Sequence, residues 1–349
     1  MVKNICNSLD SSRFEITLVY NTRYPTEPQD FEASFNKNIR KIYLPEMVRS
    51  INLKKDIIAF RKLYRLFREE KPDVVHGHSS KAGFLTRIAG MLAGISKIFY
   101  SSHGYSFRMT DVSVISKGVF FLAEAIVSPI GYIVVNAPNE LNIAGKLAWR
   151  SDRVLPYYNG IEISDFIPQY PQTTQELNVV SCGRVTAAKN PSAFVRLCAR
   201  IANIYPEVKF TWIGDGSEKQ MRQLRQTIEQ LDIKNIRITG WLEASSVRQE
   251  LANADLVIHY SDWDVLPTAV SEAMALGKPV VGSTAVDQIQ HRENGFVAQT
   301  EDQLFEYTSQ LLDSPELKKR MGKKARETIE EQYTLDRLIA QLENAYSRT

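Results

Sequence analysis

Two carboxylates, Asp264 and Glu272, stand eight residues apart across a proline and a helix-favouring segment. The preceding residues 255–260 are apolar enough to form a buried parallel strand, so we place Asp264 on the loop after its carboxyl end, where open α/β sheets bind ligands. Glu272 then falls on the next helix, about two turns away. One carboxylate suits the vicinal hydroxyls of a ribose, and the other suits a second polyol. The spacing therefore predicts a site for two sugars joined by a diphosphate.

Two cations precede the start of another predicted helix. Residues 177–184 predict a strand that ends in Gly183 and Arg184, and Lys189 comes just before an Asn-Pro pair that is typical of a helix N-terminus. A helix start offers free N–H groups and the positive end of its dipole, and both attract anions. The two cations beside it predict a diphosphate site.

Two weaker signals follow in the same half of the chain. Residues 208–216 predict a strand and a Gly-Asp-Gly turn that begins at Gly214, and residues 235–242 predict another strand. The turn is not a dinucleotide fingerprint, because Lys219 stands where the third glycine is required. Strands and helices alternate over about 178–297, which predicts a parallel sheet covered by helices.

The stretch 263–281 resembles the donor-sugar motif of the retaining glycosyltransferases of family 4, in which two glutamates flank seven residues that include a proline. Asp264 stands where Glu is usual, and Val265 stands where Gly is usual and adds a side chain where the backbone would approach the sugar. The resemblance covers nearly all of the chain. It implies an α/β GT-B fold, with two Rossmann-like parallel-sheet domains facing a cleft and a C-terminal crossover helix.

By this resemblance, four residues act in catalysis. Arg184 and Lys189 would hold the donor diphosphate and stabilise charge on the leaving group, and Asp264 would orient the donor sugar. His103 ends a strand in a His-Gly pair and would face the donor sugar, although a plain turn histidine is the alternative. Glu272 would bind the ribose. The resemblance also assigns donor binding to Gly183, Gly214, Trp241, Leu266, Pro267 and Thr268, together with Arg184 and Lys189.

The resemblance also divides the chain at a linker over 156–166. It implies an N-terminal acceptor domain over 1–160, a nucleotide-sugar-binding domain over 161–332 and a crossover helix over 333–349. Family members open with a strand, a Gly-rich loop and a helix, whereas residues 1–10 resemble only the tail of that helix. We therefore expect the first strand and the Gly-rich loop to be missing from this sequence.

Two patterns could instead indicate a metal site. Asp262-Trp263-Asp264 matches the DxD signature of metal-dependent glycosyltransferases of the other major fold, but here it follows a strand of a repeated α/β unit. His76 and His78 stand two residues apart, yet no Cys, third His or carboxylate has ligand spacing with them, which favours a packed role at a strand end. We expect no metal and no cofactor apart from the nucleotide-sugar donor.

Composition agrees with a two-domain globular protein, since the 349 residues are 44% apolar and 24% charged. Residues 1–164 carry 22 Lys and Arg against 15 Asp and Glu, and residues 165–349 carry 21 against 25. Apolar residues recur at helical spacing over 53–67, giving a basic amphipathic helix. Such a helix could dock on anionic phospholipid or pack on the sheet with solvated cations, and no nucleic-acid motif accompanies the charge. The cations of this region are Lys37, Arg40, Lys41, Arg49, Lys54, Lys55, Arg61, Lys62, Arg65 and Arg68.

Compartment signals are modest. The three cysteines have no paired spacing, which suits a reducing cytosol, and no signal peptide is visible. Residues 118–137 are apolar enough to suggest a membrane span, but Glu124, Pro129 and Asn136 interrupt the run, so a helix followed by a strand fits better. We expect a cytoplasmic protein, either free or bound peripherally to the inner face of the plasma membrane.

The expected function is the transfer of a hexose or N-acetylhexosamine from a UDP-sugar, with retention and without a metal, to a saccharide acceptor. The usual role of such enzymes, together with the basic N-terminal half, points to a lipid-linked acceptor in bacterial envelope polysaccharide synthesis. Two alternatives stay open. One is a nucleotide-sugar epimerase or hydrolase on the same fold, and the other is a non-catalytic nucleotide-sugar-binding protein.

Overall fold

A computed structural model describes residues 1–22, 28–48, 50–109, 112–169 and 177–348. Arg49 of the basic region lies outside these residues. The chain forms two compact units, which we call unit 1, Met1–Asn159 with Leu335–Thr349, and unit 2, Gly160–Thr334. Unit 1 carries 24 Lys and Arg against 16 Asp and Glu, a net charge of +8, and unit 2 carries 19 against 24, a net charge of −5.

Unit 1 contains two parallel sheets with helices on both faces of the larger one. Its strands are β1 Thr17–Tyr20, β2 Arg40–Tyr43, β3 Val74–His78, β4 Lys97–Ser101, β5 Tyr132–Val134 and β6 Val154–Leu155. Its first six helices are α1 Val2–Ser8, α2 Pro28–Ala33, α3 Leu53–Glu70, α4 Ser80–Ala93, α5 Val114–Val127 and α6 Pro138–Leu147. The larger sheet has the order β3-β4-β5-β6, and β1 pairs only with β2 among the described strands.

Side chains alternate between the two faces of the larger sheet, as a strand period of two requires. Tyr100 and Ile133 point into a cluster with α6, and Ile98 packs with α3 and α4. Phe99 and Val134 point the other way, into a cluster with α1 and the last helix of the chain. Both faces of the central strands are therefore buried.

Unit 2 contains one six-stranded parallel sheet in the order β12-β11-β10-β7-β8-β9. Its strands are β7 Asn178–Cys182, β8 Lys209–Ile213, β9 Ile236–Ile238, β10 Leu256–His259, β11 Val280–Gly282 and β12 Gly295–Val297. Its helices are α7 Pro191–Ala202, α8 Glu218–Gln230, α9 Ala244–Ala252, α10 Thr268–Ala275, α11 Glu301–Asp313 and α12 Pro315–Gln332. The predicted alternation of strand and helix, and the helix-covered parallel sheet, are confirmed.

The last helix, α13 Leu335–Ser347, belongs to unit 1. Leu338 and Leu342 are buried against Ile5 of α1 and Phe99 of β4. The backbone N–H of Asp10 also donates to a carboxylate oxygen of Glu343, at 2.9 Å. The core of unit 1 is thus built from both ends of the described chain.

The two ambiguous segments of the sequence are now assigned. Helix α3 buries Leu63 and Phe67 with α4 and the sheet, so this part of its apolar face is packed, and its cations Lys62 and Arg65 form ion pairs on the outside. The apolar run 118–137 divides into the end of α5 and strand β5, as predicted. Among the described residues, no helix has the length and apolar character needed to cross a membrane.

Candidate active site

The loops after β7 and β8 approach each other closely at the carboxyl edge of the unit 2 sheet. Gly214 has a φ of 138°, and a Cβ there would lie 2.2 Å from the carbonyl oxygen of Gly183. That oxygen accepts the indole N–H of Trp212 at 3.0 Å, and the N–H of Gly183 donates to Ile213 at 2.9 Å. Only glycine allows this approach, which fixes the backbone before Arg184.

Helix α7 begins where the sequence predicts it. Asn190 adopts the left-handed conformation, its side chain accepts the N–H of Ala193 at 3.3 Å, and Pro191 takes the first helical position. Arg184 is exposed, and within the described part of the chain its guanidinium makes no ion pair. The helix start therefore presents one uncommitted cation, the Arg184 guanidinium, to an incoming anion.

Lys189 has a partner that the sequence did not reveal. Its ammonium forms an ion pair with Asp264, and both side chains are largely buried, at 19% and 14% exposed. His259 contributes a second bond to the same carboxylate oxygen, at 2.7 Å, and the N–H of Val265 donates to the other oxygen at 3.0 Å. The structure thus brings two predicted residues, Lys189 and Asp264, into direct contact.

Electrostatics keep Asp264 ionised. Burial alone would raise its pKa, but the hydrogen bond from His259 and the charge of Lys189 outweigh burial and bring the pKa to about 2. Burial lowers the pKa of His259, although its bond to Asp264 opposes that shift. A neutral imidazole beside an ionised carboxylate must donate, so His259 gives its Nε2–H to Asp264.

His259 is a site residue that sequence analysis missed. It closes the apolar strand β10 five residues before Asp264, and that position was the available signal. Gln288 was also missed: its buried amide donates to the carbonyl oxygen of Pro267 and to Ser271 Oγ, both at 3.1 Å. Nothing in the local sequence around Gln288 indicates that contact.

The loop between Asp264 and α10 is held in a strained conformation. Leu266 has a φ of 45° and is only 3% exposed, which is uncommon for a branched non-glycine side chain. Pro267 follows in an extended conformation, and Thr268 begins α10. Burial of Leu266 and the Gln288 bond to Pro267 therefore fix the direction of α10.

Glu272 lies on α10 beside the end of β7. Burial raises its pKa from 4.5 to about 7, with the charge of Arg248 opposing the shift and that of Asp165 adding to it. Burial also raises the pKa of the Cys182 thiol to about 12, and the charge of Glu272 adds to that shift. Across the described residues, no hydrogen bond or ion pair of the Glu272 side chain is observed. A half-buried carboxylate without a partner and with a perturbed pKa is a candidate ligand-binding group.

Trp241 follows β9 and is 71% exposed. Gly240 before it has a φ of 72° and forms an isolated bridge with Gly214. An exposed indole next to the loops after β7 and β8 is available to a planar ligand.

The predicted residue of unit 1, His103, lies in a cluster of three half-buried imidazoles. Its Nε2 is 3.0 Å from His78 Nδ1, and its φ is 48°. His76 bonds Tyr346 at 2.5 Å and Ser101 at 3.0 Å. Burial lowers the pKa of His103 to about 4 and that of His76 to about 3, and it lowers the pKa of His78 as well. The three rings are therefore neutral, and His76 and His78 have the packed role expected of them.

The residues of the DxD pattern point to different partners. Asp262 is exposed and accepts from the Asn190 amide at 3.4 Å, whereas Asp264 faces His259 and Lys189. Over the ranges that the structure describes, no group of three or more His, Cys, Asp or Glu could hold a metal ion.

Solved structures share this architecture. The structure resembles HepE of Anabaena in complex with UDP and glucose, with a TM-score of 0.80 at 15% identity over 99% of this chain and 94% of that one. It also resembles the lipopolysaccharide outer core galactosyltransferase WaaB, with a TM-score of 0.76 at 18% identity over 99% and 93%. These similarities confirm the predicted GT-B fold.

The sequence comparisons identify the family. The family described as Glycosyltransferase Family 4 matches residues 1–164, and the one described as Glycosyl transferases group 1 matches residues 163–328. The chain belongs to the family 4 glycosyltransferases and is an enzyme of the transferase class, as predicted.

Two curated relatives illustrate the range of the family. The chain is 27% identical over 291 residues to UDP-Gal:alpha-D-GlcNAc-diphosphoundecaprenol alpha-1,3-galactosyltransferase of Escherichia coli, covering 79% of this chain and 73% of that protein. It is 23% identical over 311 residues to N-acetyl-alpha-D-glucosaminyl L-malate synthase of Bacillus anthracis, covering 83% and 78%.

Proposed function

We propose that this glycosyltransferase moves a hexose or N-acetylhexosamine from a UDP-sugar, with retention, to a lipid-linked saccharide in the synthesis of a bacterial envelope polysaccharide. The observation that carries the proposal is Glu272, a half-buried carboxylate on the helix after Asp264 that has no hydrogen-bond or ion-pair partner among the described residues. The name of the E. coli relative supports a UDP-sugar donor and a diphosphoundecaprenol-linked acceptor. The UDP bound to HepE supports the same donor class.

Glu272 is suited to the ribose of the donor. Two vicinal hydroxyls would donate hydrogen bonds to its oxygens and replace the water that burial has partly removed. Because hydroxyl donors stabilise the ionised form, bound ribose would lower the pKa of Glu272 towards its ordinary range. Trp241 offers a planar face to the base from the neighbouring strand end.

Arg184 and Lys189 would neutralise the diphosphate beside the start of α7. Arg184 is exposed and available at once, whereas Lys189 is paired with Asp264. A diphosphate would therefore share Lys189 with Asp264, which links the phosphate site to the sugar-binding carboxylate. As the bond from the sugar to the diphosphate breaks, both cations would stabilise the charge that develops on the leaving group.

Asp264 would orient the donor sugar through its hydroxyls. The side chain is one methylene shorter than the glutamate usual in the family, and His259 and Lys189 hold its carboxylate from two directions. For a retaining transfer, the acceptor hydroxyl attacks from the face that the diphosphate leaves, and a diphosphate oxygen takes its proton. By the family resemblance, His103 would line the donor side of that reaction, and its imidazole would stay uncharged. None of these roles calls for a metal.

The test is a panel of nucleotide sugars with and without a GlcNAc-diphosphate-lipid acceptor, with UDP release and product formation as readouts. We expect acceptor-dependent UDP release and an α-linked product from an α-linked donor, identified by NMR. Acceptor-independent turnover would favour the epimerase or hydrolase. Binding of UDP-sugar without turnover would favour the non-catalytic alternative.

A further inference from the structure

Helix α5 presents an apolar face to solvent. Ile115 is 81% exposed, Leu122 is 60% exposed and Ile126 is 63% exposed, and these residues follow one another at helical spacing. Of the two charged residues of α5, Glu124 is buried, whereas Lys117 is half-buried and lies seven residues before it, on the same side of the helix. The outward face therefore carries no charge, the reverse of the usual arrangement for a surface helix. Its side chains are Val114, Ile115, Val119, Phe121, Leu122 and Ile126.

The inner side of α5 is firmly attached to unit 1. Glu124 is 5% exposed, and its two oxygens bond Arg87 Nη2 and the Tyr100 hydroxyl, both at 2.7 Å. Val127, on the same side of the helix, is buried as well. The orientation of α5 is thus fixed by a buried ion pair, and its apolar face is directed outward by that anchoring.

Helix α3, the basic helix predicted from the sequence, is not the apolar docking face. Its buried side chains pack against α4 and the sheet. What α3 contributes is charge, because its exposed cations belong to a unit with a net charge of +8. Leu53 and Ile57 of α3 are also exposed, but the larger group of exposed apolar side chains belongs to α5.

We propose that the apolar face of α5 docks on the surface of an anionic lipid bilayer. Charge complementarity supports this occupant, since unit 1 is strongly positive and unit 2 is negative. Trp149, 80% exposed, follows α6, and α6 packs in the same cluster as Ala125 of α5. An exposed indole is typical of side chains at a lipid–water boundary.

A second copy of the chain fits this face less well. The 14 residues of α5 form a stripe roughly 21 Å long and about 10 Å wide, far below the roughly 800 Å² per partner that stable dimers bury. Pairing through α5 would also bring two units of net charge +8 together. A shallow lipid interface needs no such area, because each inserted side chain transfers independently out of water.

Vesicle co-sedimentation tests the proposal without any sugar substrate, so its outcome does not depend on the proposed function. The probes are vesicles of phosphatidylcholine alone and with about 30% phosphatidylglycerol. The variant is Ile115→Asp/Leu122→Asp, and the matched control is Ile204→Asp, at a residue of unit 2 that is 58% exposed. Melting curves establish that each variant is folded.

We expect the wild type and the control to bind the anionic vesicles, and the double variant to bind them at least about tenfold more weakly. Binding should weaken in about 0.5 M salt, where surface charges are screened. Equal binding by the double variant, or no binding by the wild type, would overturn the proposal. A wild-type dimer that the double variant dissociates, measured by analytical ultracentrifugation, would overturn it in favour of a second copy.

Discussion

Replacing Glu272 with Gln should stabilise unit 2 at alkaline pH and change it little at acid pH. Burial raises the pKa of Glu272 from 4.5 to about 7. A group whose pKa is higher in the folded protein than in the unfolded chain contributes stability at pH values below its unfolded pKa. That contribution is lost as the pH rises through the folded pKa. A shift of about 2.5 units corresponds to roughly 3 kcal/mol, at about 1.36 kcal/mol per unit. Gln has the same shape without the charge.

The assay is urea or thermal unfolding of the wild type and Glu272→Gln at pH 5 and pH 8. We expect the variant to be more stable by roughly 3 kcal/mol at pH 8 and by less than about 1 kcal/mol at pH 5. Glu229→Gln, on the exposed side of α8, is the matched control and should change stability at neither pH. An equal effect at both pH values, or a loss of stability at pH 8, would refute the argument from burial.

Ligand binding should move in the opposite direction. If Glu272 accepts the ribose hydroxyls, Glu272→Gln should weaken UDP and UDP-sugar binding alike, by roughly tenfold. In the wild type, UDP affinity should rise as pH increases through about 7, because hydroxyl donors prefer the ionised carboxylate. A stability gain together with a ligand loss would mark Glu272 as a residue retained for binding.

Four further predictions concern the rest of the site. Asp264→Asn should leave UDP affinity, measured by calorimetry, within about twofold of the wild type but reduce turnover, measured by initial rates, by roughly 10- to 100-fold. Equal losses of affinity and turnover would contradict the assignment of a different sugar to each carboxylate. Arg184→Ala should weaken UDP binding about tenfold at an unchanged melting temperature. Lys189→Ala should also lower the melting temperature, because it removes the ammonium that pairs with the largely buried Asp264. Gly214→Ala should lower the free energy of unfolding by more than about 3 kcal/mol, since its Cβ would meet the carbonyl of the neighbouring loop. Gly240→Ala, whose Cβ would meet nothing within 4 Å, should lower it by only about 1 to 2 kcal/mol. Chelator should abolish neither UDP binding nor transfer, and rescue by Mn²⁺ after such a loss would support the metal-dependent alternative.

Local patterns predicted the elements that carry the site. The apolar run before Asp264 is strand β10, and the Asn-Pro pair after Lys189 begins α7. These features follow from short-range rules, because strand burial and helix capping depend on neighbours in sequence. The order of strands and helices in unit 2 followed from the same signals.

Contacts between distant segments could not be predicted in this way. The bond of Lys189 to Asp264 spans 75 residues, and the amide of Gln288 reaches Pro267 from a loop after β11. The orientation of α5 depends on the pairing of Glu124 with Arg87, 37 residues away. Hydrophobic periodicity reports that a helix has two faces, but a buried ion pair decides which face turns inward.

The position of α13 has a consequence for the order in which the chain folds during synthesis. Helix α13 supplies Leu338 and Leu342 to the core of unit 1, but the ribosome makes it only after all of residues 160–334. Unit 2 can therefore complete its sheet while the core of unit 1 still lacks one wall, although N-terminal domains usually fold first. Until α13 emerges, the apolar side chains of α1 and β4 that it contacts lack this cover.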